Sequence, residues 1–323
     1  MIPLVSAVIP THNRAQLVCR AIKSALHQTY LNLEVVVVVD GPDAKTASLL
    51  EGLHEPRLRV VETTETGGPA EARNIGVRAA KGKWVAFLDD DDEWISTKIE
   101  KQVALLEGAN PSTNFIACRW QEADTYTNRA FPRTFPQAEE DWSEYVYCRA
   151  AFMPPSTWFI KRELMLAVPF TPGLFFNEDA DWLLRARDAS AIVPTFMDDA
   201  LTIYHNERSI VRLSEKSDWE AQYKWAVTHR DRLLTRRAFS YFLIRLCIPR
   251  VGQTRSPIRT SLFLLREAVS KGDIDLYFCI YVVAVALLDA NARYRLRGFV
   301  DKLRGNTTFL IDDSKNRLGT EVR

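Results

Sequence analysis

The sequence predicts an α/β fold: a Rossmann-like, mostly parallel sheet flanked by helices on both faces, followed by a helical C-terminal region. Three observations carry this. Val5 to Ile9, Glu34 to Val39 and Trp84 to Leu88 are short apolar runs without helical spacing, as expected of strands buried on both faces. Helical stretches separate them. Ala15 to His27 sets Leu17, Val18, Ala21, Ile22, Ala25 and Leu26 on one side, and Pro69 to Ala80 opens with a proline in its first turn behind Gly67-Gly68. After Ser214 the chain reads as helices punctuated at Pro249, Gly252 and Pro257. Strand and helix in alternation is the order that parallel crossovers require.

Between Asn110 and Ile210 the pattern is less regular. Phe115 to Trp120 and Thr157 to Ile160 read as strands, and Asp179 to Ala189 as a helix. In sheets of this kind ligands bind outside the C-terminal strand ends. Thr11-His12-Asn13, Asp40-Gly41 and Asp89 to Asp92 each follow a strand, so three strand ends bring polar residues to one crevice.

Composition narrows the class. The 323 residues are 47% apolar and 11% aromatic, enough to bury a sizeable core. Five cysteines (Cys19, Cys118, Cys148, Cys247, Cys279) are far apart and lack C-x-x-C spacing, which argues against a disulfide framework or zinc site and for a reducing compartment. MIPLVSAVIPTHNR has no basic segment leading into a long apolar one, so it reads as a first strand, not a signal peptide. The expected location is cytoplasmic. The net charge of +1 hides an asymmetry: Arg230 to Arg304 holds fifteen Lys or Arg against six Asp or Glu, so the front of the chain is acidic.

The acidic stretch FLDDDDEW, residues 87 to 94, carries the sharpest chemistry. Mg²⁺ or Mn²⁺ takes oxygen ligands and is commonly held by one or two carboxylates plus substrate phosphates. On an extended segment Asp89 and Asp91 face one ligand while Asp90 and Asp92 face away. The competing reading is a solvated acidic turn capping a helix near Ser96. GGPAEARNIG, Gly67 to Gly76, places exposed backbone N–H groups at a helix start, where an anionic group is favoured. Arg73 in that segment either bonds a phosphate or braces Asp89 or Asp91. NEDADWLLRA, Asn177 to Ala186, supplies Glu178, Asp179 and Asp181 at another helix start. There they either complement the helix dipole or provide a general base, desolvated by Phe175, Phe176 and Trp182. His205 follows a strand and is either a structural residue or a metal ligand.

Taken in order, VSAVIPTHNR, VVVVVDGPD, GGPAEARNIGVRAAKGKWVAFLDDDDEW and FNEDADWLLRA resemble glycosyltransferase family 2, the inverting nucleotide-sugar transferases with the GT-A fold. The likeness covers roughly residues 4 to 210. It implies that Asp40 contacts the base of the nucleotide, with Pro10, Thr11 and Arg14 lining that pocket. Gly68, Arg73, Asp89 and Asp90 are then nucleotide-sugar residues, Asp89 near the ribose. Asp91 and His205 go to a divalent cation, Mn²⁺ or Mg²⁺. Asp179 is the candidate base, with Glu178 beside it. Two departures stand out. Val39-Asp40-Gly41-Pro42 replaces the Asp-Asp-Gly-Ser of many relatives, leaving the nucleobase open, and no proline follows in WISTKIEKQ.

The resemblance implies a nucleoside-diphosphate sugar as donor, a UDP-sugar favoured, and a hydroxyl of a saccharide or lipid-linked saccharide as acceptor, in cell-surface polysaccharide assembly. Residues 1–213 form the transferase domain, with 1–110 the nucleotide-sugar half and 111–213 the acceptor half, and 214–323 the helical region. PPSTW at 154 to 158 is a candidate acceptor wall. The thirteen apolar residues Leu276 to Leu288 are too few for a membrane span of about 20 and read as a core helix. The surrounding arginines (Arg236, Arg237, Arg245, Arg250, Arg255, Arg259, Arg293, Arg295, Arg297), with Phe239, Tyr241 and Phe242, form either a solvated basic face or a peripheral contact with an anionic membrane on its cytoplasmic side. Nucleic acid is not expected, since the front is acidic and no nucleic-acid module is present. The alternatives are a sugar-phosphate nucleotidyltransferase, disfavoured because PTHNR lacks a Gly-rich loop, and a non-catalytic sugar-nucleotide-binding protein, disfavoured by the intact acidic motifs.

Overall fold

A computed structural model describes residues 2–123, 129–205, 219–253 and 256–274. The chain divides into two compact units, one of Met1–Phe135 with Phe152–Lys216 and the other of Pro136–Ala151 with the chain from Ser217.

The first unit is built on one eight-stranded sheet. β1 (Val5–Thr11), α1 (Ala15–Leu26), β2 (Leu33–Val39), α2 (Ala44–Glu51), β3 (Leu58–Glu62), α3 (Gly68–Ala79) and β4 (Trp84–Phe87) alternate as the apolar runs require. The chain continues through β5 (Glu93–Trp94), α4 (Lys98–Gly108), β6 (Phe115–Glu122), β7 (Trp158–Lys161), α5 (Arg162–Ala167), α6 (Glu178–Asp188) and β8 (Pro194–Tyr204). The spatial order is β3-β2-β1-β4-β7-β6-β8-β5. β1 pairs in parallel with β2 and β4, β2 with β3, and β6 with β8, while β7 runs antiparallel to β4 and β6, and β5 antiparallel to β8.

Every residue of β1 is buried, because helices cover both faces and leave no solvent side to demand alternation. α1 buries Ala15, Val18, Ala21, Ile22 and Ala25, the helical spacing read from the sequence. α3 lies so close to the sheet that a Cβ on Gly76 would come within 2.3 Å of Val8 and 3.3 Å of Val38. Glycine there sets the distance between helix and strands, and through it the position of Arg73 on the same helix.

The second unit is helical, with α7 (Trp219–His229), α8 (Arg236–Phe242) and α9 (Pro257–Lys271), together with a π-helical turn at Glu144–Cys148. Thr235 caps α8, its hydroxyl accepting from the Ala238 N–H at 3.0 Å. Phe239, Tyr241 and Phe242 are fully buried, so the expectation that they lie on a basic surface is overturned: the helix turns its aromatic side inward. The apolar run Leu276 to Leu288 and Arg255, Arg293, Arg295 and Arg297 lie outside the described residues.

Candidate active site

The site is assembled at the C-terminal ends of β1, β2 and β4, with α3 and the start of α6 closing on it. Asp40 follows β2, its N–H donating to Thr11 O at 2.9 Å. Its carboxylate accepts from Gly67 N–H (2.8 Å) and Gly68 N–H (2.9 Å). The anion met by the start of α3 is therefore the protein's own Asp40, and these two donors, expected to face a bound anion, are turned onto it. Gly68 has φ +80°, and a Cβ there would sit 2.5 Å from the ring of Phe175, so only glycine fits. Phe175 itself remains 45% exposed. Phe176 is buried, and Trp182 packs into the aromatic core beside Phe115, Trp158 and Phe170.

The four aspartates do not continue the strand. β4 ends at Phe87, and the Asp92 N–H donates back to Asp89 O at 3.1 Å, closing a turn over Asp90 and Asp91. This overturns the alternation expected of an extended segment. Each side chain takes its own direction. Asp89 accepts from Arg73 Nη2 at 2.6 Å. Asp90, buried, accepts from Thr11 Oγ1 at 2.7 Å and from Arg14 Nη1 at 2.9 Å. Asp91 meets the same Arg14 nitrogen at 3.2 Å. Asp92, also buried, accepts from Ser156 Oγ at 2.6 Å and lies 3.4 Å from the His205 N–H. Burial, with the Asp91 charge next, pushes Asp90 up to about 6 and lifts Asp92 well above the usual carboxylate range. The cluster is a turn, as one reading held, but half of it is buried rather than solvated.

Arg73 joins this turn to α6. Only 5% of its side chain is exposed; Nη1 donates to Glu178 Oε1 at 2.9 Å and Nη2 to Asp89, and the guanidinium stands 5.5 Å over the Phe170 ring. Of its two expected uses, the bracing of Asp89 is the one realised, with Glu178 as second partner. Asn177 sits at φ 54° and turns the chain into α6, whose first residues are Glu178 and Asp179. Asp179 accepts from the Ala180 N–H at 2.7 Å. Burial, then the adjacent Glu178 charge, raise it to about 7. Asp181 is tied elsewhere, to Thr171 Oγ1 at 2.6 Å and Arg185 Nε at 2.8 Å.

Three contributors had escaped the sequence reading. Ser156 is fully buried; its hydroxyl serves Asp92 and accepts from the Asp89 N–H at 3.0 Å. PPSTW is thus a support beneath the acidic turn and not an acceptor wall, since every residue of it is buried. Glu93 holds His205, with Oε1 at 2.7 Å from Nε2. Arg20 donates to the Asp91 carbonyl at 2.7 Å. None of these pairings has a local sequence signal, because the partners are 64 to 112 residues apart.

Among the described residues no cluster of three or more His, Cys, Asp or Glu converges as a ready-made metal cage. The hard carboxylate oxygens of Asp91 fit a Mg²⁺ or Mn²⁺ ion of the kind that takes one or two protein carboxylates and completes its shell with substrate phosphates.

Comparison with known proteins agrees with this architecture. The family model "Glycosyl transferase family 2" matches residues 6–166. An uncharacterized glycosyltransferase of Haemophilus influenzae is 31% identical over 216 residues, covering 64% of this chain and 71% of that protein. The chain belongs to glycosyl transferase family 2. It is also 35% identical over 104 residues to the Escherichia coli UDP-Glc:alpha-D-GlcNAc-diphosphoundecaprenol beta-1,3-glucosyltransferase WfaP, a match covering 32% of this chain and 41% of that enzyme. Among solved structures, S. aureus TarS 1-349 in complex with UDP-GlcNAc superposes with a TM-score of 0.66 at 16% identity, covering 94% of this chain and 92% of that one, a likeness of fold of the GT-A type.

Proposed function

We propose that the protein is an inverting glycosyltransferase that moves a sugar from a nucleoside-diphosphate sugar to a hydroxyl of a saccharide or lipid-linked saccharide, in cell-surface polysaccharide biosynthesis. The observation that carries this reading is Arg73, which ties Asp89 of the acidic turn to Glu178 and so joins the donor-side carboxylates to a neighbouring Asp179 raised to about 7. A base of that strength accepts a proton efficiently near neutral pH.

In this mechanism Asp179 takes the proton of the acceptor hydroxyl as its oxygen forms a bond to the anomeric carbon. The bond from that carbon to the diphosphate oxygen breaks on the opposite face, and configuration inverts in one displacement. No second carboxylate acts as nucleophile. Arg73 keeps Glu178 and Asp89 in place, and Arg14 holds Asp90 and Asp91. A bound Mg²⁺ or Mn²⁺, with Asp91 and His205 as its residues, would neutralise charge on the diphosphate. Pro10, Thr11, Arg14, Asp40, Gly68, Arg73, Asp89 and Asp90 make up the nucleotide-sugar side. Residues 1–213 carry the transferase, in halves 1–110 and 111–213, ahead of the C-terminal region 214–323. The UDP-sugars named for WfaP and TarS favour a uridine donor, and the diphosphoundecaprenol acceptor named for WfaP favours a lipid-linked one.

Titration calorimetry of the protein with UDP, GDP, CDP and dTDP, each with Mn²⁺ or with chelator, tests the reading. Binding of UDP that is lost with chelator and in Asp91→Ala is the expected result. Failure of every nucleotide to bind with Mn²⁺ present would overturn it.

A further inference from the structure

We propose that the outward face of α9 seats the protein on an anionic lipid surface. One face of this helix is packed inward. Leu264 and Ala268 are buried, the Ala268 carbonyl accepts from Ser240 Oγ at 2.9 Å, and the Phe263 ring, still 42% exposed, meets Tyr223 edge-on at 5.4 Å. The outer face is different. Ile258, Leu262 and Val269 are 78%, 61% and 61% exposed, with Leu265 half-buried between them. Positions 258, 262, 265 and 269 follow one another at helical spacing and form a single apolar stripe along the helix.

The charges beside the stripe identify its partner. Arg259 and Arg266, two turns apart, lie about a quarter-turn from the stripe and line one flank of it. The one carboxylate of the helix, Glu267, lies on another side, where it accepts from Tyr223 OH at 2.8 Å and Lys271 Nζ at 2.6 Å. An exposed apolar stripe that the helix borders with arginines and with no carboxylate of its own complements a layer that is apolar within and negatively charged at its surface. No helix among the described residues is long and apolar enough to cross a membrane, and the contact proposed is a peripheral one. The inference stands without the transferase reading; it gives a lipid-linked acceptor a surface on which to be met.

The test is co-sedimentation of the full chain with vesicles of phosphatidylcholine alone and of phosphatidylcholine containing phosphatidylglycerol. Wild-type protein is expected to sediment with the phosphatidylglycerol vesicles, and to be released by salt. The double substitution Arg259→Gln with Arg266→Gln lowers partition on the order of 30-fold, from the contribution of two surface cations. The double substitution Leu262→Ser with Val269→Ser abolishes it, while thermal melting and light scattering match wild type. Three results would overturn the proposal. One is no sedimentation with phosphatidylglycerol vesicles. Another is sedimentation that neither pair of substitutions changes. The third is an apolar pair that lowers the melting temperature or splits a dimer, which would show the stripe covered by Leu276 to Leu288 or by a second copy. UDP binding, measured on the same preparations, separates failure of this inference from failure of the transferase reading.

Discussion

At the acidic turn each carboxylate is held by a donor from a distant part of the chain: Asp89 by Arg73, Asp90 by Thr11 and Arg14, Asp91 by Arg14, and Asp92 by Ser156. At the start of α6, Glu178 and Asp181 are held in the same way, by Arg73 and by Thr171 with Arg185, whereas Asp179 accepts from the backbone of its own neighbour. The contrast separates two uses of the same functional group. A carboxylate clamped by side-chain donors is fixed in position, although burial still lifts Asp90 to about 6. One left to a single backbone donor, under burial and next to another negative charge, is poised to exchange a proton near neutral pH.

The largest effect that follows concerns Asp179. Replacing it with Asn lowers the turnover of glycosyl transfer by about 10² to 10⁴, the range of a general base. Donor binding by calorimetry stays at the wild-type value, whereas loss of binding would assign Asp179 to the positioning group. In the wild type, transfer falls as pH drops below about 7, because the base is then protonated. Stability has the opposite sign. The folded-state proton affinity of Asp179 lies above that of the unfolded chain, so its contribution is fully favourable below about 4, declines through about 7 and levels off above. Urea midpoints across that range, compared with Asp179→Asn, isolate this component.

Removing the clamp is next in size. Arg73→Met leaves Asp89 and Glu178 facing each other without their buried cation and costs about 3 to 5 kcal/mol in urea unfolding. A smaller loss is expected for Ser156→Ala. The Asp92 carboxylate loses a donor and the Asp89 N–H an acceptor, at about 1 to 3 kcal/mol, and nucleotide binding weakens with the turn. Thr235→Ala, in the helical unit, removes only the cap of α8, costs about 1 kcal/mol and leaves nucleotide binding unchanged. If Thr235→Ala weakened nucleotide binding as Ser156→Ala does, that effect would be global destabilisation and not a property of the turn.

How much of this could be read in the sequence depended on burial and range. β1, β2 and β4 were legible because burial on both faces leaves uninterrupted apolar runs, and α1 and α3 because their buried positions repeat at helical spacing. Of β8 only the end was read, as the strand before His205. Pairing with β6 jumps from Met197 to Ala200, and Asp198 and Asp199 are exposed in the irregularity, breaking any apolar pattern. β3, only half-buried at one edge of the sheet, gives an equally weak signal. At the site, residue types and strand-end positions were evident, but the directions of the aspartates were not. They follow from where β4 ends and the chain turns, and from partners such as Arg73 and Glu178, 105 residues apart. The Gly67-Gly68 pair shows the same limit: its suitability for an anion is local, while the identity of that anion, Asp40, comes from the fold.

The most direct test is titration of the Asp179 carboxyl group by carbon-detected NMR, in the full chain without nucleotide and again in Glu178→Gln. The account predicts a midpoint near about 7 in the wild type, shifted downward when the Glu178 charge is removed. A midpoint in the ordinary aspartate range of about 4, unaltered by Glu178→Gln, would contradict it and leave the site without its base.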